Sequence, residues 1–128
     1  MTVRERSRVQ DAKLQQDMIV LIVEDQPFVG LVAAEMVEMI GGTVTEVAAT
    51  VEEALQAVER GGFTVAMLDI DLEGQSSEPV ARALHAAGYP FLITSGFETC
   101  FPGFEDTPRL MKPYVMSQLE TKLAGLLG

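Results

Sequence analysis

Apolar and polar positions alternate along the chain in two rhythms. Met18–Val23 is a continuous apolar run that ends in Glu24-Asp25, and its length and β-branching predict a buried strand. Pro27 then opens a stretch in which Val29, Ala33, Met36, Val37 and Ile40 recur at helical spacing, stopped by Gly41-Gly42. Thr43–Ala48 predicts a second strand. Thr50, with Glu53 three residues on, is a capping box for a helix that turns Ala54, Leu55 and Val58 inward and stops at Gly61-Gly62. Phe63–Leu68 predicts a third strand, ending at Asp69, and a loop follows from Ile70 to Ser77. Pro79 starts a helix with Val80, Ala83, Leu84 and Ala87 inward, closed by Gly88. Phe91–Ile93 is a fourth strand ending at Thr94, and Arg109–Met111 a short fifth one before Lys112-Pro113. Val115–Leu127 is a last helix, with Met116, Leu119, Leu123 and Leu126 at helical spacing. Between Gly96 and Thr107, interruption by Pro102 and Gly103, with Pro108 just beyond, leaves room for at most a short helix.

Five strands, each followed by a helical stretch, imply an α/β domain with a doubly wound parallel sheet covered on both faces, its fourth helix short or irregular. Residues 18–128 form that domain, and 1–17 read as a polar N-terminal tail. A chain of 128 residues suits one domain. Cys100 is the single cysteine, so no internal disulfide is possible and a reduced, cytoplasmic setting is expected. No apolar run approaches the ~18 residues that span a bilayer, and the first residues lack the apolar core of a secretory signal. The net charge is −10. Tail residues Arg4, Arg6, Arg8 and Lys13 outnumber Glu5, Asp11 and Asp17, so the body is more acidic still. Nucleic acid is thereby disfavoured as a partner, since phosphate binding needs clustered cations.

Position carries the chemistry. Glu24-Asp25, Asp69, Thr94 and Lys112 each follow the C-terminal end of a different strand, the edge where open α/β sheets bind ligands. Carboxylates gathered there repel one another by about 4 kcal/mol per pair at ~4 Å and an effective dielectric of ~20. A proton or a cation must relieve that. Oxygen donors without a His or Cys cluster favour Mg²⁺, or Mn²⁺, over zinc. With Lys112 as a point charge and Thr94 as a donor, such a cup suits a phosphoryl group, and a carboxylate can be its nucleophile.

These residues, in this order, resemble the receiver domain of two-component response regulators over about residues 18–127. The resemblance implies a flavodoxin-like strand order 2-1-3-4-5 and a stand-alone phosphoacceptor module rather than an enzyme. In it Asp69 takes a phosphoryl group from a histidine kinase or a histidine phosphotransfer protein in a phosphorelay. Asp25 and Asp69 would hold Mg²⁺ directly with the backbone carbonyl of Asp71, and Glu24 would act through a metal-bound water. Thr94 is then the hydroxyl that moves toward the phosphoryl group and Lys112 its ion-pair partner, with a cis Lys112–Pro113 bond. Output would come by protein contact or by draining phosphoryl groups from a kinase, with the protein a monomer or weak dimer and away from membranes.

Leu68–Gly74, Pro79-Val-Ala and Pro90–Gly96 are further similar to small single-domain alphaproteobacterial receivers associated with HWE-family kinases. Some of these carry a Phe-Ala-Thr-Gly-x-Tyr motif. The nearest text here is Ile93-Thr-Ser-Gly-Phe97, in which Ser95 reads as an insertion. Three departures stand out. Arg109 replaces the usual switch aromatic three residues before the lysine, the fourth helix is broken, and Asp71 adds a carboxylate. They keep a phosphorylation-independent pseudo-receiver in view. Asp69-Ile-Asp71 also matches the nucleophile and acid spacing of haloacid-dehalogenase-type phosphatases, although Glu73 stands where their threonine is expected. His85 reads as a surface histidine and Cys100 as an apolar filler. Phe97, Phe101 and Phe104 read as local packing or as a mobile apolar patch.

Overall fold

The computed structural model describes residues 18–97 and 100–128, so the N-terminal tail lies outside the described residues. The elements are β1 (Ile19–Val23), α1 (Pro27–Met39), β2 (Thr43–Ala48), α2 (Val51–Arg60), β3 (Val65–Asp69), β4 (Asp71–Leu72), β5 (Gln75–Ser76), α3 (Glu78–Ala87), β6 (Phe91–Ser95), β7 (Arg109–Met111) and α4 (Met116–Leu127). The main sheet has the order β2-β1-β3-β6-β7, all parallel. Counted over its own five strands, that is 2-1-3-4-5.

Alternation of side chains across the strands divides the core in two. Leu21, Val23, Leu68, Phe91 and Ile93 face α2 and α3, where Ala54, Val58, Val80 and Leu84 meet them. Val20, Ile22, Met67, Leu92 and Leu110 face α1 and α4, where Ala33, Val37, Leu119 and Leu123 meet them. Strands buried on both faces explain the continuous apolar runs.

The helix starts follow local chemistry. Thr50 Oγ1 accepts from the Glu53 N–H at 3.1 Å, and the Glu53 carboxylate accepts in return from the Ala49 N–H at 3.3 Å. Gly61, at φ 68°, ends α2 in a conformation that side chains resist.

Several expectations are corrected. Leu55 points outward, and the inward set of α2 is Val51, Ala54, Ala57 and Val58. In α3 it is Val80, Ala81 and Leu84, with Ala87 exposed. Met116 is also exposed. The loop after β3 carries an antiparallel hairpin, β4–β5, whose tip is Glu73-Gly74. Described residues between β6 and β7 contain no helix. Instead, Phe101 and Phe104 fill that flank, with the Phe104 ring 5.8 Å from Phe91 and 6.2 Å from Phe101. Phe97, in contrast, is 76% exposed. The exposed His85 meets the Phe104 ring edge-on. Cys100 is half-buried and unpaired.

Candidate functional site

The acidic residues reach one place because three strands end level with one another. Val23 pairs with Leu68, and Asp69 pairs with Thr94, so Glu24, Asp69 and Thr94 lie side by side at the C-terminal sheet edge. Alternation from Val23, Leu68 and Met111 sends Glu24, Asp69 and Lys112 to the α1/α4 face of the sheet. Carboxylate oxygens of Glu24, Asp25 and Asp69 lie within 4.8 Å of one another. Glu24 is 4% exposed and Asp69 7%.

Hydrogen bonds organise the cluster. The Lys112 ammonium donates to Glu24 Oε1 at 2.6 Å and lies 3.4 Å from Asp69 Oδ1. The Gln26 N–H donates to Glu24 Oε2 at 3.2 Å. From the β4–β5 hairpin the Glu73 N–H donates to Asp25 Oδ2 at 2.9 Å, with Glu73 held at φ 53°. Ser77, fully buried, donates its hydroxyl to the Asp69 carbonyl and its N–H to the Ile70 carbonyl. The Lys112–Pro113 peptide bond is cis. Asp71 is exposed, and its side chain stands outside the group of three carboxylates.

The electrostatics follow from this crowding. Burial, followed by the Glu24 charge, pushes the Asp69 carboxyl from 3.8 up to about 6, against the pull of Lys112. Burial opposes the Lys112 charge, but its bond to Glu24 and the fields of Asp69 and Glu24 outweigh that and raise its pKa. Burial and the same two carboxylates push the Tyr114 phenol up to about 12. Three oxygen donors, one of them short of countercharge, match the donor set of a hard divalent cation. Chemically the site offers a nucleophilic carboxylate beside a fixed cation.

Two hydroxyls end β6. Thr94 is level with Asp69 and on its face. Ser95 is no insertion: Ile93, Thr94 and Ser95 pair in unbroken register with Arg109, Leu110 and Met111. Alternation places Ser95 on the opposite face from Thr94, with Arg109 and Met111. Its hydroxyl accepts from the Phe97 N–H at 3.0 Å, and its carbonyl accepts from the Lys112 N–H at 2.8 Å. Read without an insertion, the motif's Thr-Gly falls on Ser95-Gly96.

No family model and no curated protein match the sequence. Solved structures do. The solution structure of SdrG from Sphingomonas melonis Fr1 is 37% identical, with a TM-score of 0.78, covering 89% of this chain and 98% of that one. The receiver domain of the PhyR response regulator from Erythrobacter litoralis is 25% identical, with a TM-score of 0.77, covering 88% and 91%. A CheY-like receiver domain from Methylobacillus flagellatus, at 24% identity and a TM-score of 0.76 over 85% and 98%, shares the fold.

Proposed function

Because this chain belongs to the response-regulator receiver family, we propose that it accepts a phosphoryl group on Asp69 from a phosphohistidine donor, in a reaction that needs Mg²⁺ or Mn²⁺. The observation that carries this reading is the convergence of Glu24, Asp25 and Asp69 with the Lys112 ammonium. An Asp69 oxygen forms the new O–P bond as the donor's P–N bond breaks, and the imidazole departs with a proton. Lys112 stands where it would neutralise charge on the transferring group. Asp25 and Asp69 would hold the ion directly, with the Asp71 carbonyl, and Glu24 through water. The bound ion would supply charge neutralisation for the phosphoryl oxygens.

Of the two hydroxyls, Ser95 suits the phosphoryl-sensing role better than Thr94. A phosphoryl group on Asp69 extends past the residue level with it, and Ser95 is one step further toward the edge. Ser95 also borders Arg109 and Met111 on the flank that lacks a helix. An apolar groove of about 390 Å³ opens beside Lys112, lined by Phe28, Val32, Met36, Pro113 and Tyr114. We assign it to the incoming donor, a histidine kinase or histidine phosphotransfer protein, because it adjoins the acceptor cup and Phe28 stands exposed on it.

Incubation with acetyl phosphate and Mg²⁺ tests the reading. One acid-stable, base-labile phosphoryl group per wild-type chain, and none on Asp69→Asn, supports it. Steady turnover of a phosphomonoester would favour the dehalogenase-type phosphatase instead, a reading that the exposed Asp71 does not help. Absence of any label would favour a pseudo-receiver.

A further inference from the structure

Five polar or charged residues are buried among the described residues. Glu24, Asp69, Thr94 and Ser95 stand at strand ends around the cup. The fifth, Ser77, lies in front of α3 and has no exposed surface. A serine at a helix N-cap ordinarily accepts from the first turn of its own helix. Ser77 makes no such bond. Ser76 accepts from the Glu78 N–H in its stead, at 3.1 Å. The Ser77 hydroxyl turns inward and donates to the Asp69 carbonyl.

That bond falls where the sheet stops. β1 and β3 pair only as far as Val23 and Leu68, one residue short of Asp69. Beyond that point the Ile70 N–H donates to the Thr94 carbonyl at 3.0 Å, and the Ser77 N–H to the Ile70 carbonyl at 3.2 Å. Ser77 thus grips both peptide groups that follow the acceptor, one with its hydroxyl and one with its backbone. It also closes the neck of the loop 70–76, in which Leu72 is buried and the Glu73 N–H at the tip donates to Asp25 Oδ2 at 2.9 Å. Two carboxylates of the cup therefore depend on one loop, Asp69 at its neck and Asp25 at its tip. In-line transfer is sensitive to such placement, since an error of ~1 Å costs on the order of 100-fold in rate. Groups that carry the reaction keep their geometry only when their supports are fixed in turn.

We propose that Ser77 is a positioning residue for phosphoryl transfer, acting through the backbone of Asp69 and through the loop that holds Asp25. The inference rests on the reading of Asp69 as the acceptor. Ser77 touches neither the phosphoryl group nor the ion, and its hydroxyl sets where the acceptor oxygens stand.

The test compares three variants of the full chain in labelling by acetyl phosphate with saturating Mg²⁺, each confirmed as folded by circular dichroism at the assay temperature. Ser77→Ala deletes the hydroxyl. Ser77→Cys keeps its approximate size but offers only a weak donor. Val80→Ala hollows the core beneath the same helix and leaves the hydroxyl in place. Both Ser77 variants are expected to lower the maximal labelling rate at least tenfold, to change half-saturation by acetyl phosphate less than twofold, and to move the ¹³C shift of the Asp69 carbonyl. Val80→Ala is expected to label within twofold of the wild-type maximal rate, whereas a merely structural role for Ser77 predicts slowing in all three. Wild-type rates in the Ser77 variants, or equal slowing in Val80→Ala, overturn the inference and leave Asp69 as the acceptor. A wild-type chain that takes no label overturns the acceptor reading, and this inference with it.

Discussion

Lys112 Nζ lies closer to Glu24 Oε1, at 2.6 Å, than to Asp69 Oδ1, at 3.4 Å. The lysine is thus anchored by the carboxylate that is not the proposed acceptor, which leaves Asp69 the less neutralised of the two. Lys112→Met removes the influences that lower the Asp69 pKa. The variant is expected to carry an Asp69 that titrates above 6, to phosphorylate at least tenfold more slowly, and to lose about 1–3 kcal/mol of stability near neutral pH. Carboxylate titration by NMR, a labelling time course and denaturant unfolding check the three effects.

The acidic cup itself limits stability. Asp69 holds its proton up to about pH 6 in the folded chain but only to about 3.8 when exposed. Its contribution is therefore fully present below pH ~4 and lost as pH rises through 6, a change of about 3 kcal/mol. Asp69→Asn should remove this penalty. Its melting temperature should exceed that of the wild type by several degrees at pH 7.5 and converge with it near pH 4, as thermal unfolding across pH would show.

Much of this was legible in the sequence because it depends on where strands end. Apolar runs closed by Glu24-Asp25, Asp69 and Lys112 mark one sheet edge, and alternation of side chains does the rest. Leu55 was misplaced because it is a large apolar residue adjoining the inward Ala54, whereas the buried face runs through Val51, Ala54, Ala57 and Val58 and leaves Leu55 at its margin. The β4–β5 hairpin and its Glu73–Asp25 bond were not legible: pairing two residues against two leaves no periodic trace. Which way the adjacent hydroxyls of Thr94 and Ser95 face was not legible, because strand register decides it and register is a property of the neighbouring strand.

Divalent cations should relieve the cup. Mg²⁺ at ten times its dissociation constant stabilises the fold by ~1.4 kcal/mol. Thermal unfolding should register that gain in the wild type and lose it in Asp25→Asn. An equal gain in that variant would place the ion elsewhere.

The neighbouring hydroxyls should separate by variant. Ser95→Ala is expected to alter the phosphoryl half-life several-fold and to shift the amides of Phe97 and Arg109, while Thr94→Val, which keeps shape, changes the half-life less than twofold. Measured decay of the labelled protein checks this, and the reverse ranking restores Thr94 to the role.

Phe28 stands beside the acceptor without taking part in chemistry. Phe28→Ala should slow phosphoryl transfer from a protein donor about tenfold and leave labelling by acetyl phosphate unchanged. Parallel kinetics with the two donors separate docking from chemistry.

The central claim is that Asp69 itself carries the phosphoryl group, and borohydride trapping addresses it most directly. Reduction of an aspartyl phosphate leaves homoserine at the modified position, which peptide mass spectrometry locates. After incubation with acetyl phosphate and Mg²⁺, the account predicts homoserine at position 69. Homoserine at position 25 or 71, or an unmodified chain, would contradict it.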